Sequence, residues 1–133
     1  MSRDGWRARL GRVRALVLDV DGVLTDGALY YGPGGRSFKR FDVKDGMGIV
    51  LLKKAGVRVA FLSADASDGV LKRARKLGVR DAYVGVQDKS AAFDRFLRAR
   101  GLAAAEVAYV GDDINDVPVL SRAGVAIAPA DAV

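Results

Sequence analysis

Cysteine and histidine are both absent from the 133-residue chain. Disulfide scaffolds, Cys or His zinc sites, Ser-His-Asp triads and Cys-His nucleophiles are therefore excluded. Glutamate is nearly absent: Glu106 stands alone against fifteen aspartates. Chemistry in this chain has to run on Asp, Lys, Arg, Ser, Thr and backbone. Long apolar runs are missing too. The stretch Ala15–Leu18 is broken by Asp19 and Asp21, well short of the ~20 apolar residues of a spanning helix or the 7–15 or so of a signal h-region. The expectation is a cytoplasmic chain with no membrane partner; missing cysteine says nothing about redox compartment.

What is present is ordinary for a globular chain: 50% hydrophobic and 29% charged residues. The length fits one domain, residues 1–133. Lys and Arg exceed Asp and Glu by 22 to 16, a net charge of +6. Only Arg3, Arg7, Arg9, Arg12 and Arg14 cluster. The scatter of the rest reads as a solvated basic surface, with no nucleic-acid partner expected.

Strand and helix patterns alternate along the chain. Short β-branched or apolar runs at Val13–Asp19, Val57–Leu62, Ala82–Val84, Val107–Val110 and Val125–Ala128 read as strands. Between them, helical spacing covers Asp45–Ala55, Ser67–Leu77, Lys89–Arg100 and Asn115–Arg122, with Gly56, Gly78 and Gly101 as stops. Gly27–Tyr31 and Ser37–Phe41 flank Gly32-Pro33-Gly34-Gly35, a β-hairpin signal. The expected fold class is α/β: a doubly wound, Rossmann-like parallel sheet with a small hairpin insertion at about 27–41 and no large cap domain. The chain ends at Ala130–Val133 just after a strand, which is abrupt for this architecture.

In open α/β sheets, ligands bind outside the C-terminal strand ends. Two acidic clusters fall there: Asp19-Val20-Asp21-Gly22-Val23-Leu24-Thr25-Asp26 after the first strand, and Gly111-Asp112-Asp113-Ile114-Asn115-Asp116 after Val107–Val110. On an extended chain Asp19 and Asp21 face one side. Two carboxylates 4 Å apart repel by about 4 kcal/mol at an effective dielectric near 20. A hard cation such as Mg²⁺ relieves that. A single Asp at such a junction is more simply an N-cap. Ser63 ends a strand at the same edge, and Lys89 opens a helix whose dipole disfavours a cation. Carboxylates, Mg²⁺, a hydroxyl and a Lys together suit phosphoryl transfer.

These residues resemble the haloacid dehalogenase-like (HAD) superfamily: Asp19–Gly27 its first motif, Ser63 its second, Lys89 its third and Gly111–Asp116 its fourth. The resemblance implies Asp19 as the nucleophile, forming an aspartyl-phosphate, and Asp21 as general acid and then base. It implies Mg²⁺ held by Asp19, the Asp21 carbonyl and Asp112, with Asp113 and Asp116 behind them. Ser63 and Lys89 would bind phosphoryl oxygens. Phe41–Ile49, Val70–Val79 and Tyr109–Val119 are similar to capless 3-deoxy-D-manno-octulosonate 8-phosphate phosphatases. That group implies a sugar-phosphate substrate and a homotetramer whose hairpins pack together and whose neighbouring subunits cover each site. Lys44, Asp45, Gly46 and Arg73 are then candidate substrate contacts.

Two departures stand out. The group's Thr-Gly-Arg is Ser63-Ala64-Asp65 here, and its longer C-terminal tail is missing. The alternatives are a phosphatase for a nine-carbon sialic-acid-type 9-phosphate, and a non-catalytic oligomerisation domain linked to acidic-sugar activation. A signalling receiver domain fits less well, because its acceptor Asp follows the third strand.

Overall fold

A computed structural model describes residues 3–133. Helix α1 (Arg3–Leu10) precedes the first strand; no element is expected there from the sequence pattern. The order then runs β1 (Ala15–Leu18), β2 (Tyr30–Tyr31), β3 (Ser37–Phe38), α2 (Val43–Lys54), β4 (Arg58–Leu62), α3 (Asp68–Lys76) and β5 (Asp81–Tyr83). It closes with α4 (Lys89–Arg100), β6 (Val107–Val110), α5 (Val117–Leu120) and β7 (Val125–Ile127). No helix among the described residues is long and apolar enough to cross a membrane.

The five-stranded sheet has the order β5-β4-β1-β6-β7 and every pairing in it is parallel. Period-two alternation sorts its side chains into two cores. Ala15, Val17, Ala60, Leu62, Val107 and Tyr109 pack with Ala92, Phe93 and Phe96 of α4. Leu18, Val59 and Phe61 point the other way, against Ile49 of α2 and Val70 and Ala74 of α3. Coverage on both faces explains why these strands are apolar throughout.

Strand order locates the ligand crevice. From β1 the chain crosses to β4 on one side, whereas from β6 it crosses to β7 on the other. The switch point lies between β1 and β6, where such sheets bind ligands. Register makes the edge sharp, since Leu18 pairs with both Phe61 and Val110. Asp19, Ser63 and the Gly111–Asp116 loop all emerge at this edge.

Three expectations need correction. The hairpin is antiparallel as expected, but each arm is only two residues, Tyr30–Tyr31 against Ser37–Phe38. The region expected as one helix, Asn115–Arg122, divides into a 3₁₀ turn at Ile114–Asp116 and the four-residue α5. Pro118 sits in the first turn of α5, where its missing N–H costs nothing. β1 stops at Leu18, so Asp19 and Asp21 do not share a strand face. The chain turns through Asp21–Leu24 instead.

Candidate active site

The site is assembled around a buried ammonium. Lys89, the first residue of α4, donates to Asp19 Oδ1 at 3.0 Å and to Asp116 Oδ1 at 2.7 Å. All three side chains are almost wholly enclosed. Asp88 caps α4 by accepting from the Ala91 N–H at 3.0 Å. This fixes the helix start that aims Lys89 at the switch point, against the preference of the helix dipole.

Asp116 is saturated. Its Oδ1 accepts from Lys89 and from the Tyr109 hydroxyl at 2.6 Å. Its Oδ2 accepts from the backbone N–H groups of Asp112 at 3.1 Å and Asp113 at 3.2 Å. A carboxylate has about four acceptor positions, and four donors fill them. Burial opposes its ionisation, yet Lys89 and Tyr109 outweigh that and hold Asp116 below the usual carboxylate range. Asp116 therefore shapes the loop that presents Asp112. Burial and the Asp116 contact push the Tyr109 hydroxyl well above the ordinary phenol value, so it stays a donor. Tyr109 opens a stretch that carries the family resemblance, but a strand Tyr reads as core and the sequence gives it no role in the site.

Asp19 is less satisfied. The Val20 N–H at 2.8 Å and Lys89 both land on Oδ1, which leaves Oδ2 with capacity for an incoming group. Burial, a hydrogen bond with the Asp112 carboxyl and the nearby Asp116 charge push Asp19 up to about 8, against the pull of Lys89. Carboxylate oxygens of Asp19, Asp112 and Asp116 lie within 4.8 Å of one another. This crowding of hard oxygen donors suits Mg²⁺, with Asp19 and Asp112 holding the spare lone pairs. Gly22 permits the crowding: its φ is +82°, and a Cβ there would lie 1.7 Å from Asp112 Oδ2.

Ser63 is buried at the same edge, and its Oγ accepts from the Asp65 N–H at 3.2 Å. Asp21 is not among the grouped carboxylates. Its Oδ1 meets Lys39 Nζ at 2.5 Å, and Lys39 also reaches Asp65 Oδ2 at 2.6 Å. Lys39 is a site-adjacent residue that the sequence pattern does not reveal, since a hairpin Lys reads as solvated charge. Asp113 is exposed and caps its own turn, accepting from the Ile114 N–H at 2.6 Å. Asp26 lies outside the cluster as well, accepting from Ala28 N–H and from the Tyr30 hydroxyl at 3.0 Å each, which roots the hairpin.

The candidate substrate contacts form a separate group. Arg73 donates to the Asp42 carbonyl at 3.1 Å and stacks over Phe41. It also packs against Gly46, where a Cβ would come 2.6 Å from its guanidinium. Lys44 and Asp45 are exposed in the first turn of α2. None of these four is hydrogen-bonded to the aspartate cluster.

Comparison with known proteins agrees with this geometry. A family model described as haloacid dehalogenase-like hydrolase matches residues 42–124. The 3-deoxy-D-manno-octulosonate 8-phosphate phosphatase KdsC of Escherichia coli (strain K12) is 40% identical over 125 residues, 94% of this chain. The chain spans 66% of that protein's length. The crystal structure of the phosphatase of the same name from Yersinia pestis superposes with a TM-score of 0.94 at 37% identity, covering 97% of this chain and 70% of that one. The Moraxella catarrhalis phosphatase, solved with a magnesium ion, a phosphate ion and the sugar acid, gives a TM-score of 0.94 at 29% identity, covering 100% of this chain and 76% of that one. On sequence and fold alike, this chain belongs to the haloacid dehalogenase-like hydrolase family, in the branch that contains the 3-deoxy-D-manno-octulosonate 8-phosphate phosphatases.

Proposed function

We propose that the chain acts as a Mg²⁺-dependent phosphatase on a keto-acid sugar phosphate, of which 3-deoxy-D-manno-octulosonate 8-phosphate is the leading candidate. The observation that carries this reading is the buried Asp19–Lys89–Asp116 chain beside Asp112, set at the switch point of the sheet. Relatives carrying the name of that activity support it.

Mg²⁺, when bound by Asp19, the Asp21 carbonyl and Asp112, would neutralise charge between the nucleophile and the phosphoryl oxygens. Asp19 Oδ2 attacks phosphorus, and the bond to the sugar oxygen breaks to leave an aspartyl-phosphate. Asp21 delivers a proton to the departing alkoxide, then takes one from the water that cleaves the acyl phosphate. Lys89 and the Ser63 hydroxyl hold phosphoryl oxygens, and a buried ammonium acts there without the screening of bulk water. Lys44 and Asp45 face the sugar, while the close packing of Gly46 against Arg73 holds the first turn of α2 that carries them.

Among the described residues no large cap domain covers the crevice. Leu29, Tyr30, Tyr31 and Phe38 of the hairpin, with Val43, Met47 and Leu51 of α2, are exposed. Such apolar surface favours burial against other subunits, and a homotetramer with shared sites would supply the missing cover. Asp65 stands where the resembled motif has an Arg, so no guanidinium at that position selects between this substrate and the second reading, a nine-carbon keto-acid 9-phosphate.

Phosphate release with Mg²⁺ from both keto-acid phosphates, neutral hexose phosphates and an aryl phosphate tests the proposal. Preference for one keto-acid phosphate, abolished in a folded Asp19→Asn variant, is the expected result. Turnover by Asp19→Asn would refute the nucleophile.

A further inference from the structure

Lys39 is the only cation whose side chain joins the β1 loop to the loop after β4 among the described residues. It comes from the return arm of the hairpin, one residue past β3. Its side chain is 4% exposed, whereas those of Asp21 and Asp65 are 38% and 36% exposed. The ammonium is thus enclosed, and each carboxylate keeps an edge open to solvent. Lysine is rarely buried without partners, and here two carboxylates take two of its three donors at 2.5 and 2.6 Å.

Asp65 is itself held. Its Oδ1 accepts from the Ser67 N–H at 3.0 Å, and its own N–H donates to Ser63 Oγ at 3.2 Å. A continuous polar path therefore runs from Ser63 through Asp65 and Lys39 to Asp21 Oδ1, leaving Oδ2 of Asp21 uncommitted. Asp21 lies in a turn beside Gly22, and no other side chain among the described residues donates to it. Without Lys39 its carboxyl would sample several rotamers in an open crevice. Proton transfer needs the donor within hydrogen-bond reach of the leaving oxygen, and a small misplacement is costly in rate.

We propose that Lys39 is a positioning residue for Asp21, anchored in turn by Asp65, so that the hairpin aims the proton donor at the departing oxygen. The proposal rests on the reading of Asp21 as the general acid. It also gives Asp65 a role: the acid secures a cation that positions the donor.

The test is a series of substituted phenyl phosphates of similar size and graded phenol acidity, with kcat/KM measured at saturating Mg²⁺. An acidic phenol leaves without a proton; a weakly acidic one needs it. General acid help is worth about 10²–10⁴, so losing its alignment should cost about 10–100-fold for the least acidic phenol and under about threefold for a nitrophenol. Lys39→Met is expected to show this graded loss, Lys39→Arg to recover part of it, and Asp65→Asn to show it at smaller amplitude. Asp21→Asn is the reference and should be steeper than all of them. A uniform loss across the series for Lys39→Met, beside a graded loss for Asp21→Asn, overturns the positioning role alone. A uniform loss for Asp21→Asn removes the general-acid reading and this proposal with it. If Lys39→Met does not fold, Asp65→Asn decides: a graded loss upholds the proposal and a uniform one overturns it.

Discussion

Replacing Lys89 with Met keeps an unbranched side chain, one atom shorter, and removes its charge. The buried Asp19 and Asp116 carboxyls then lose their shared cation. Breaking a buried ion pair by deleting one partner costs about 3–5 kcal/mol. The lower end applies here, because Asp116 keeps the Tyr109 hydroxyl and two backbone donors. The expectation is about 3 kcal/mol at pH 8 in chelator, or roughly 10 °C in Tm for a chain of this length.

The loss should depend on pH with a definite sign. In the parent protein Asp116 is held below its usual range. It contributes stability that is present above the unfolded value and disappears as pH falls through the folded one. In the variant that contribution is gone, and both buried carboxyls favour their protonated forms, a stabilisation present only in acid. The gap between the two proteins therefore narrows as pH falls from 8 toward 4. Urea unfolding at pH 8, 6 and 4.5 measures it. A deficit of the same size at all three values would show that Lys89 acts through packing, and would refute the electrostatic account of the site.

Asp19 supplies a second pH test. Its carboxyl is raised to about 8, so its contribution is full below the unfolded value near 4 and lost as pH rises to about 8. In chelator, stability from this group should decline across that window, and Mg²⁺ should restore it most at the alkaline end, as calorimetric Tm values would show. Tyr109→Phe removes one of four donors to Asp116 and should cost about 1–2 kcal/mol in urea unfolding, with the fold retained. Gly22→Ala places a methyl on Asp112 and imposes a left-handed φ on a residue with a Cβ, at about 1–2 kcal/mol for the backbone alone. Displacement of Asp112 should also weaken Mg²⁺ binding by isothermal titration at least tenfold.

Periodicity and motif order reveal a great deal of this protein. Apolar strands separated by amphipathic helices imply a parallel sheet covered on both faces, because no other layer arrangement buries them. Asp19, Asp112 and Lys89 stand out because a cluster of repelling acids and a Lys at a helix start are both unfavourable without a chemical role. Local pattern reads less well where tertiary contacts decide. The hairpin arms are two residues each, since little beyond Thr25, Asp26 and Lys39 holds them. Asn115–Arg122 has helical spacing, yet the Asp116 N–H donates to the Asp113 carbonyl while Asp116 Oδ2 accepts from the Asp113 N–H, and the pair tightens its start into a 3₁₀ turn.

The amino-acid order alone determined the α/β class and the sheet edge at which Asp19 and the Gly111–Asp116 acids gather, because those follow from side-chain period and strand order. Only the tertiary structure decided which partners each aspartate takes. Asp116 is spent on four donors, Asp113 on its own turn, and Asp26 on the hairpin, which leaves Asp19 and Asp112 with free lone pairs. Lys39 and Tyr109 enter the site in the same way. Each looks unremarkable in its own segment, and only the packing of distant segments brings its one polar atom against a carboxylate.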